Sequence, residues 1–116
     1  GVSGGCITSA RDLMVFIKAF FGGRLFSRAI FDTLSSYHKL QASMGPVYYG
    51  GGYMQIPLNG MATLFLGKGE LLGHSGSTGS FAFYYPLKDL FFVGDLNQMS
   101  NAALAVRLSM RLAMAV

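Results

Sequence analysis

The sequence predicts an α+β fold, in which an antiparallel sheet of about five strands has helices packed on it. Apolar residues recur at helical spacing near both ends of the chain, whereas short runs rich in glycine, aromatic and β-branched residues fill the middle. The connections between these runs are short, which favours antiparallel neighbours over crossover units. The chain has 116 residues, so it is at most a single domain.

Three helices are predicted from capping signals and periodicity. Ser9 and Asp12 fit a capping box before an amphipathic run that Gly22 ends, and Ser27 begins a shorter helix. After Asn97, leucines recur every four residues with small alanines between them, which predicts a helix that lies close on the sheet. The expected helices span about 9–21, 27–36 and 100–114.

A loop over 41–46 leads into the predicted strands. These strands follow from alternating or short apolar runs between turn residues. Pro86 and Asp89 bound the turn of a hairpin that joins the last two strands. The expected strands span about 51–56, 62–66, 70–74, 80–85 and 90–96.

The composition indicates a piece of a larger molecule. Apolar residues make up 52% of the chain and charged residues 12%, against about 25% charged in typical domains. So little charge does not cover a free-standing globule of this size. We therefore expect the apolar faces to meet further polypeptide, either the remaining N-terminal part of the same protein or a second copy of the chain.

Several classes of protein are disfavoured by the same composition. Nine basic and five acidic residues give a net charge of +4, but the cations are scattered rather than clustered as nucleic-acid binding requires. No run of about 18 uncharged apolar residues predicts a membrane span. The single cysteine, Cys6, excludes an intramolecular disulfide and is expected to be a small buried side chain. No motif calls for a metal or another cofactor.

The best candidate for a site is the run of small and polar residues from Gly73 to Ser80, Gly-His-Ser-Gly-Ser-Thr-Gly-Ser. It lies between two apolar segments. Its internal glycines permit close backbone approach or positive φ. The run is therefore expected to bring main chain and hydroxyl groups against a ligand.

Three segments together resemble a known family. They are residues 4–13, with Ser-Ala-Arg-Asp-Leu at their end, residues 49–53, and Gly73 to Gly76 with the strand pair that ends at Asn97. In this order they resemble the C-terminal part of the serine β-lactamase-like hydrolases, which include class C β-lactamases, penicillin-binding D-Ala-D-Ala carboxypeptidases and related esterases and D-aminopeptidases. The resemblance covers nearly all of residues 1–116 and about the last third of a family member. It implies a fragment of the β-lactamase/transpeptidase-like fold.

The resemblance implies roles for four residues. In the family, a Lys-Thr-Gly element on a strand lines the cleft, and the next main-chain N–H helps to form the oxyanion hole. Carried over, His74 takes the cationic position, Ser75 the hydroxyl position and Gly76 the position of close approach to substrate, while the Ser77 N–H becomes the oxyanion donor. Such a fixed donor stabilises the developing charge by about 3–4 kcal/mol.

Two departures from the family pattern change the expected chemistry. Histidine is only partly protonated at neutral pH, so His74 favours an esterase-like or peptidase-like member over an efficient β-lactamase. The nucleophilic serine of a Ser-x-x-Lys motif and the tyrosine of a Tyr-x-Asn motif belong to a region upstream of the matched part. Without them there is no covalent chemistry, so the fragment alone is expected to be inactive.

Two local patterns mimic catalytic motifs. Ser36 and Lys39 have Ser-x-x-Lys spacing but stand at the end of a predicted helix, where a polar terminus is the simpler interpretation. The segment from Gly73 to Ser77 resembles a nucleophile elbow but lacks the fifth glycine and the helix that must follow it.

The sequence therefore leaves two functions open. The first is acyl transfer to an upstream serine followed by hydrolysis of a small amide or ester, with this chain supplying one wall of the cleft. The alternative is a non-catalytic binding or scaffold homologue that keeps the fold without the nucleophile. Family resemblance alone would suit a bacterial periplasmic or secreted protein.

Overall fold

The computed structural model describes residues 4–39 and 47–116, and the α+β prediction is confirmed. The predicted loop over 41–46 lies outside the described residues. The described part contains the helices α1 (Ala10–Phe21), α2 (Arg28–Leu34) and α3 (Leu104–Ala115) and the strands β1 (His38–Lys39), β2 (Tyr48–Tyr49), β3 (Met54–Pro57), β4 (Glu70–Ser75), β5 (Ser80–Tyr85) and β6 (Leu90–Asp95).

The strands form one open antiparallel sheet in which each strand pairs with the next along the chain. The described residues contain six strands where about five were expected, because β1 and β2 have two residues each and are too short for a periodicity signal. The predicted strand at 62–66 is wrong. A 3₁₀ turn, Met61–Thr63, occupies its start, and Leu64 and Phe65 have left-handed φ values of 53° and 61°.

Local capping explains the bounds of the first two helices. The Ser9 Oγ accepts a hydrogen bond from the Asp12 N–H at 3.1 Å and donates one to Asp12 Oδ2 at 2.9 Å. The Ser27 Oγ caps α2 in the same way. These contacts satisfy backbone donors that a helix start leaves unpaired, and they confirm the predicted caps. The last helix begins at Leu104, four residues later than expected.

Alternation along β5 divides the molecule into layers. Phe81, Phe83 and Tyr85 are buried in a core that includes Ala105, Met110 and Ala113 of α3. The intervening residue Ala82 faces α1 instead. Because strand side chains alternate between faces, the sheet carries α3 on one face and α1 on the other. The predicted close approach of an alanine-bearing helix is confirmed.

The segment before α1 departs from expectation. Cys6 is exposed, so the prediction that it is buried is wrong, because residues 4–9 are all exposed on the surface. Among the described residues, no helix is both long enough and apolar enough to cross a bilayer.

Candidate functional site

The candidate run folds into the hairpin between β4 and β5. The Gly76 N–H donates to the Ser80 carbonyl at 2.7 Å, and the Gly79 N–H donates to the Gly76 carbonyl at 3.1 Å. Residues 76–79, called here the β4–β5 turn, are therefore a β-turn with Ser77 and Thr78 at its centre. Within the described ranges, the Ser77 N–H donates to no acceptor, and Ser77 is exposed.

A turn rather than a strand holds the Ser77 amide, which corrects the expectation that a strand carries it. β4 ends at Ser75, two residues earlier. The turn is itself tied to the chain after β6. The Thr78 carbonyl accepts from the Gln98 N–H at 2.9 Å, and the Gly79 carbonyl accepts from the Leu96 N–H at 3.2 Å. These two bonds fix the residues that follow the Ser77 amide, and the bond from the Gly76 N–H to the Ser80 carbonyl fixes the residue before it.

His74 and Ser75 lie on opposite faces of the sheet, as consecutive strand residues must. His74 pairs with Ala82 across the strands and lies on the α1 face. Its ring contacts the Tyr49 ring edge-to-face, with centroids 5.7 Å apart and planes at 84°. The two predicted binding side chains therefore leave the strand on opposite faces of the sheet.

A groove of about 860 Å³ brings the predicted site residues together. Its walls include the chain segment before α1, the end of β4, the β4–β5 turn and the start of β5. All four sequence-predicted residues line it: His74, Ser75, Gly76 and Ser77. An added Cβ at Gly76 would lie 2.8 Å from the Ser80 Oγ, so a larger residue there would crowd the turn.

The same turn also borders a second groove on the α3 face. This groove measures about 580 Å³ and includes Ser75, Gly76 and Ser77 together with Arg107 of α3. Ser77 thus lies at the border of both grooves. Arg107 is the cationic side chain that lines this second groove.

Sequence reasoning missed several residues of the larger groove. Asp95, Leu13 and the segment that contains Cys6 and Thr8 line it although they are distant from the turn in sequence. The Asp95 Oδ1 accepts a hydrogen bond from the Asn97 N–H at 2.8 Å. The available sequence signal was the position of Asp95, an acidic residue at the end of an apolar strand. That position did not by itself indicate a site.

The two local motif mimics do not form catalytic arrangements. Ser36 lies beyond the end of α2 and Lys39 lies in β1, so their spacing does not start a helix. The segment from Gly73 to Ser77 continues into β5 rather than into a helix. In the portion covered by the structure, no three His, Cys, Asp or Glu side chains are grouped as a metal ion would require.

Two tyrosines have perturbed pKa values, and neither lines the larger groove. Burial, followed by the hydrogen bond to the Tyr53 hydroxyl at 2.9 Å, raises the pKa of Tyr37 well above its ordinary value. Burial also raises the pKa of Tyr84, together with its hydrogen bond to the Asp89 carboxylate at 3.1 Å. Both groups belong to the packing of the sheet.

Comparison with family models, with curated proteins and with solved structures found no match to this chain.

Proposed function

We propose that this chain forms one wall of the active-site cleft of a β-lactamase-like serine hydrolase. The observation that carries the proposal is the Ser77 amide, which is fixed by the surrounding turn, donates to no described acceptor and borders the groove that His74 and Gly76 also line. A preorganised N–H of this kind stabilises an oxyanion without reorganising during the reaction. The sequence resemblance supplies the family, and the groove supplies room for a small amide or ester.

In the proposed reaction, the substrate carbonyl oxygen accepts a hydrogen bond from the Ser77 N–H. A serine on polypeptide outside this chain attacks the carbonyl carbon, and its proton passes to a base on the same outside segment. The leaving amine or alcohol departs with a proton, and water then hydrolyses the acyl-serine ester. His74 hydrogen-bonds a polar group of the substrate, and Gly76 keeps the approach to the turn open.

The test uses the complete protein, with a chromogenic ester and a cephalosporin assayed in parallel. Ser77→Pro deletes the N–H donor, and proline suits the first central position of a β-turn. Ser77→Ala is the matched control because it keeps the N–H and removes only the hydroxyl. We expect Ser77→Pro to lower kcat by about 10²–10³-fold and Ser77→Ala to change it little.

Two results would contradict the proposal. One is a folded Ser77→Pro variant with full turnover, which would remove the role given to residue 77. The other is a complete protein that folds but turns over neither substrate, which would favour the non-catalytic homologue. The sequence upstream of this chain separates the same two functions, because a catalyst of this family needs Ser-x-x-Lys and Tyr-x-Asn there.

A further inference from the structure

An apolar cavity of about 180 Å³ lies between α1 and the sheet, next to His74. Its lining is almost wholly hydrocarbon and aromatic, and none of the described residues that border it is Asp, Glu, Lys or Arg. This volume is comparable with the roughly 150 Å³ of an enclosed apolar cavity that binds benzene, although the present pocket opens to the surface. The present cavity therefore has the size of a six-membered ring with a small substituent.

The walls are aromatic rings packed edge-to-face. The centroids of the Phe20 and Phe21 rings are 5.0 Å apart, with the ring planes at 74°. The Tyr53 ring lies 5.7 Å from Phe20, with the planes at 83°. It lies 5.3 Å from Phe21, with the planes at 81°. Aromatic pairs at such distances gain attraction beyond that of buried area alone. These walls favour a flat aromatic guest over a saturated ring of equal size.

Tyr53 contributes only its ring face and edge to the cavity. Its hydroxyl accepts a hydrogen bond from Tyr37 at 2.9 Å and lies 3.0 Å from the Ser35 Oγ, which itself donates to the Phe31 carbonyl. Since Ser35 has given its one proton to that carbonyl, Tyr53 is the donor to Ser35. Each of these three hydroxyl protons is therefore donated within the chain of hydrogen bonds.

The space exists because the sequence places small residues where the sheet approaches α1. Ala82 stands between aromatic residues on β5, and Gly52 carries no side chain where it borders the cavity. Protein interiors are otherwise close-packed, so the missing side-chain volume at these positions leaves room for another group.

The cavity adjoins the larger groove. Leu13, His74 and Ala82 line both, so they form the border between the apolar space and the polar turn. A molecule with a ring in the cavity therefore places its polar substituent beside His74 and toward the β4–β5 turn. We infer that this cavity is a binding site for the aromatic ring of a small carbonyl compound. The assignment of such a compound as a substrate rests on the proposed function, whereas its binding does not.

The binding test is an NMR titration of the isotope-labelled complete protein with phenylacetamide as the probe. We expect saturable ring-current shifts at the Gly73 and Ala82 amides, none with acetamide, and at least threefold weaker binding of cyclohexylacetamide. Ala82→Leu fills the cavity and is expected to weaken phenylacetamide binding at least tenfold. Ala102→Leu adds the same volume at an exposed position on the other face and is expected to leave binding unchanged.

A second variant keeps the test decisive if Ala82→Leu does not fold. Leu13→Ala enlarges the cavity from the half-exposed α1 side, so 2-naphthylacetamide should bind it at least fivefold more tightly than it binds the unaltered chain. Phenylacetamide that causes no localised shifts, or binding that neither variant alters, would overturn the site. Equal affinity for the cyclohexyl compound would overturn its aromatic selectivity.

The outcomes separate this inference from the proposed function. Cavity binding of phenylacetamide together with full turnover by Ser77→Pro would retain the aryl site and remove the oxyanion role. Loss of turnover in Ser77→Pro without binding of phenylacetamide in the cavity would retain the oxyanion role and remove the aryl site.

Discussion

Replacing Gly73 with alanine tests how the strand before His74 is held. An added Cβ at Gly73 would lie 2.0 Å from the Ala82 carbonyl oxygen and 2.8 Å from the Phe83 Cα, and the φ of +154° is rarely adopted by other residues. Both obstacles are backbone atoms of β5, so no side-chain rotation relieves them. The left-handed backbone contributes about 1–3 kcal/mol of strain and the overpacking about another 1–3 kcal/mol.

We therefore expect Gly73→Ala to lower the free energy of unfolding by about 2–6 kcal/mol, out of a total of about 5–15 kcal/mol for a domain. Urea unfolding followed by circular dichroism measures this as a fall of about 1–3 M in the midpoint, for a slope near 2 kcal/mol/M.

Two glycines provide matched controls. Gly52 has a φ of +114° but nothing within 4 Å of an added Cβ, so Gly52→Ala carries the strain without the clash. Gly60 has neither a positive φ nor a contact within 4 Å of an added Cβ, so Gly60→Ala should change the free energy of unfolding by less than about 1 kcal/mol. If Gly73→Ala loses no more stability than Gly52→Ala, the close contact between β4 and β5 is not as described.

Three further predictions concern the packing that supports the site. Phe83 has no exposed surface, so Phe83→Ala should cost about 3–5 kcal/mol in urea unfolding, and a loss below about 1 kcal/mol would refute its place in the core. Thr63 is a buried hydroxyl that reaches the Leu58 and Gly60 carbonyls, so Thr63→Val should cost about 1–3 kcal/mol while Thr63→Ser retains most of the stability. The raised pKa of Tyr37 means that its neutral form stabilises the fold fully below about pH 10 and that this contribution is lost as pH rises through the folded-state value. Tyr37→Phe should flatten the alkaline decline in thermal stability, and an unchanged decline would contradict the assignment.

Elements with local signals were predictable from the sequence. The capping box at Ser9 and the glycine stop at Gly22 bound α1 within a residue of the expected positions, because caps act through neighbours only three or four residues apart. The hairpin turn at Pro86 to Asp89 was equally local, with Asp89 in the left-handed conformation that turns tolerate.

The wrong strand prediction at 62–66 shows what a local sequence pattern cannot predict. Apolar residues in a short run suit a strand, but Leu64, Phe65 and Leu66 are exposed, and none of the described strands pairs with this run. The Thr63 hydroxyl instead bonds to backbone carbonyls, which stabilises a tight turn. A short apolar run by itself is therefore not sufficient to predict a strand.

The candidate site was predictable only in part. The small polar run marked the β4–β5 turn, since glycine and hydroxyl residues have known turn preferences. The Asp95 carboxylate, the segment before α1 and the cavity under His74 depend on which elements the sheet brings together. Those contacts join residues far apart in sequence, and periodicity carries no information about them.

Hydrogen exchange at two neighbouring amides tests the proposed oxyanion donor most directly. The Gly76 N–H is bonded to the Ser80 carbonyl at 2.7 Å, whereas the exposed Ser77 N–H donates to no acceptor in the described parts of the chain. We expect the Ser77 amide to exchange near the unprotected rate while the Gly76 amide is at least a hundredfold slower. Equal protection of the two amides would mean that the Ser77 N–H is already occupied and unable to serve a substrate.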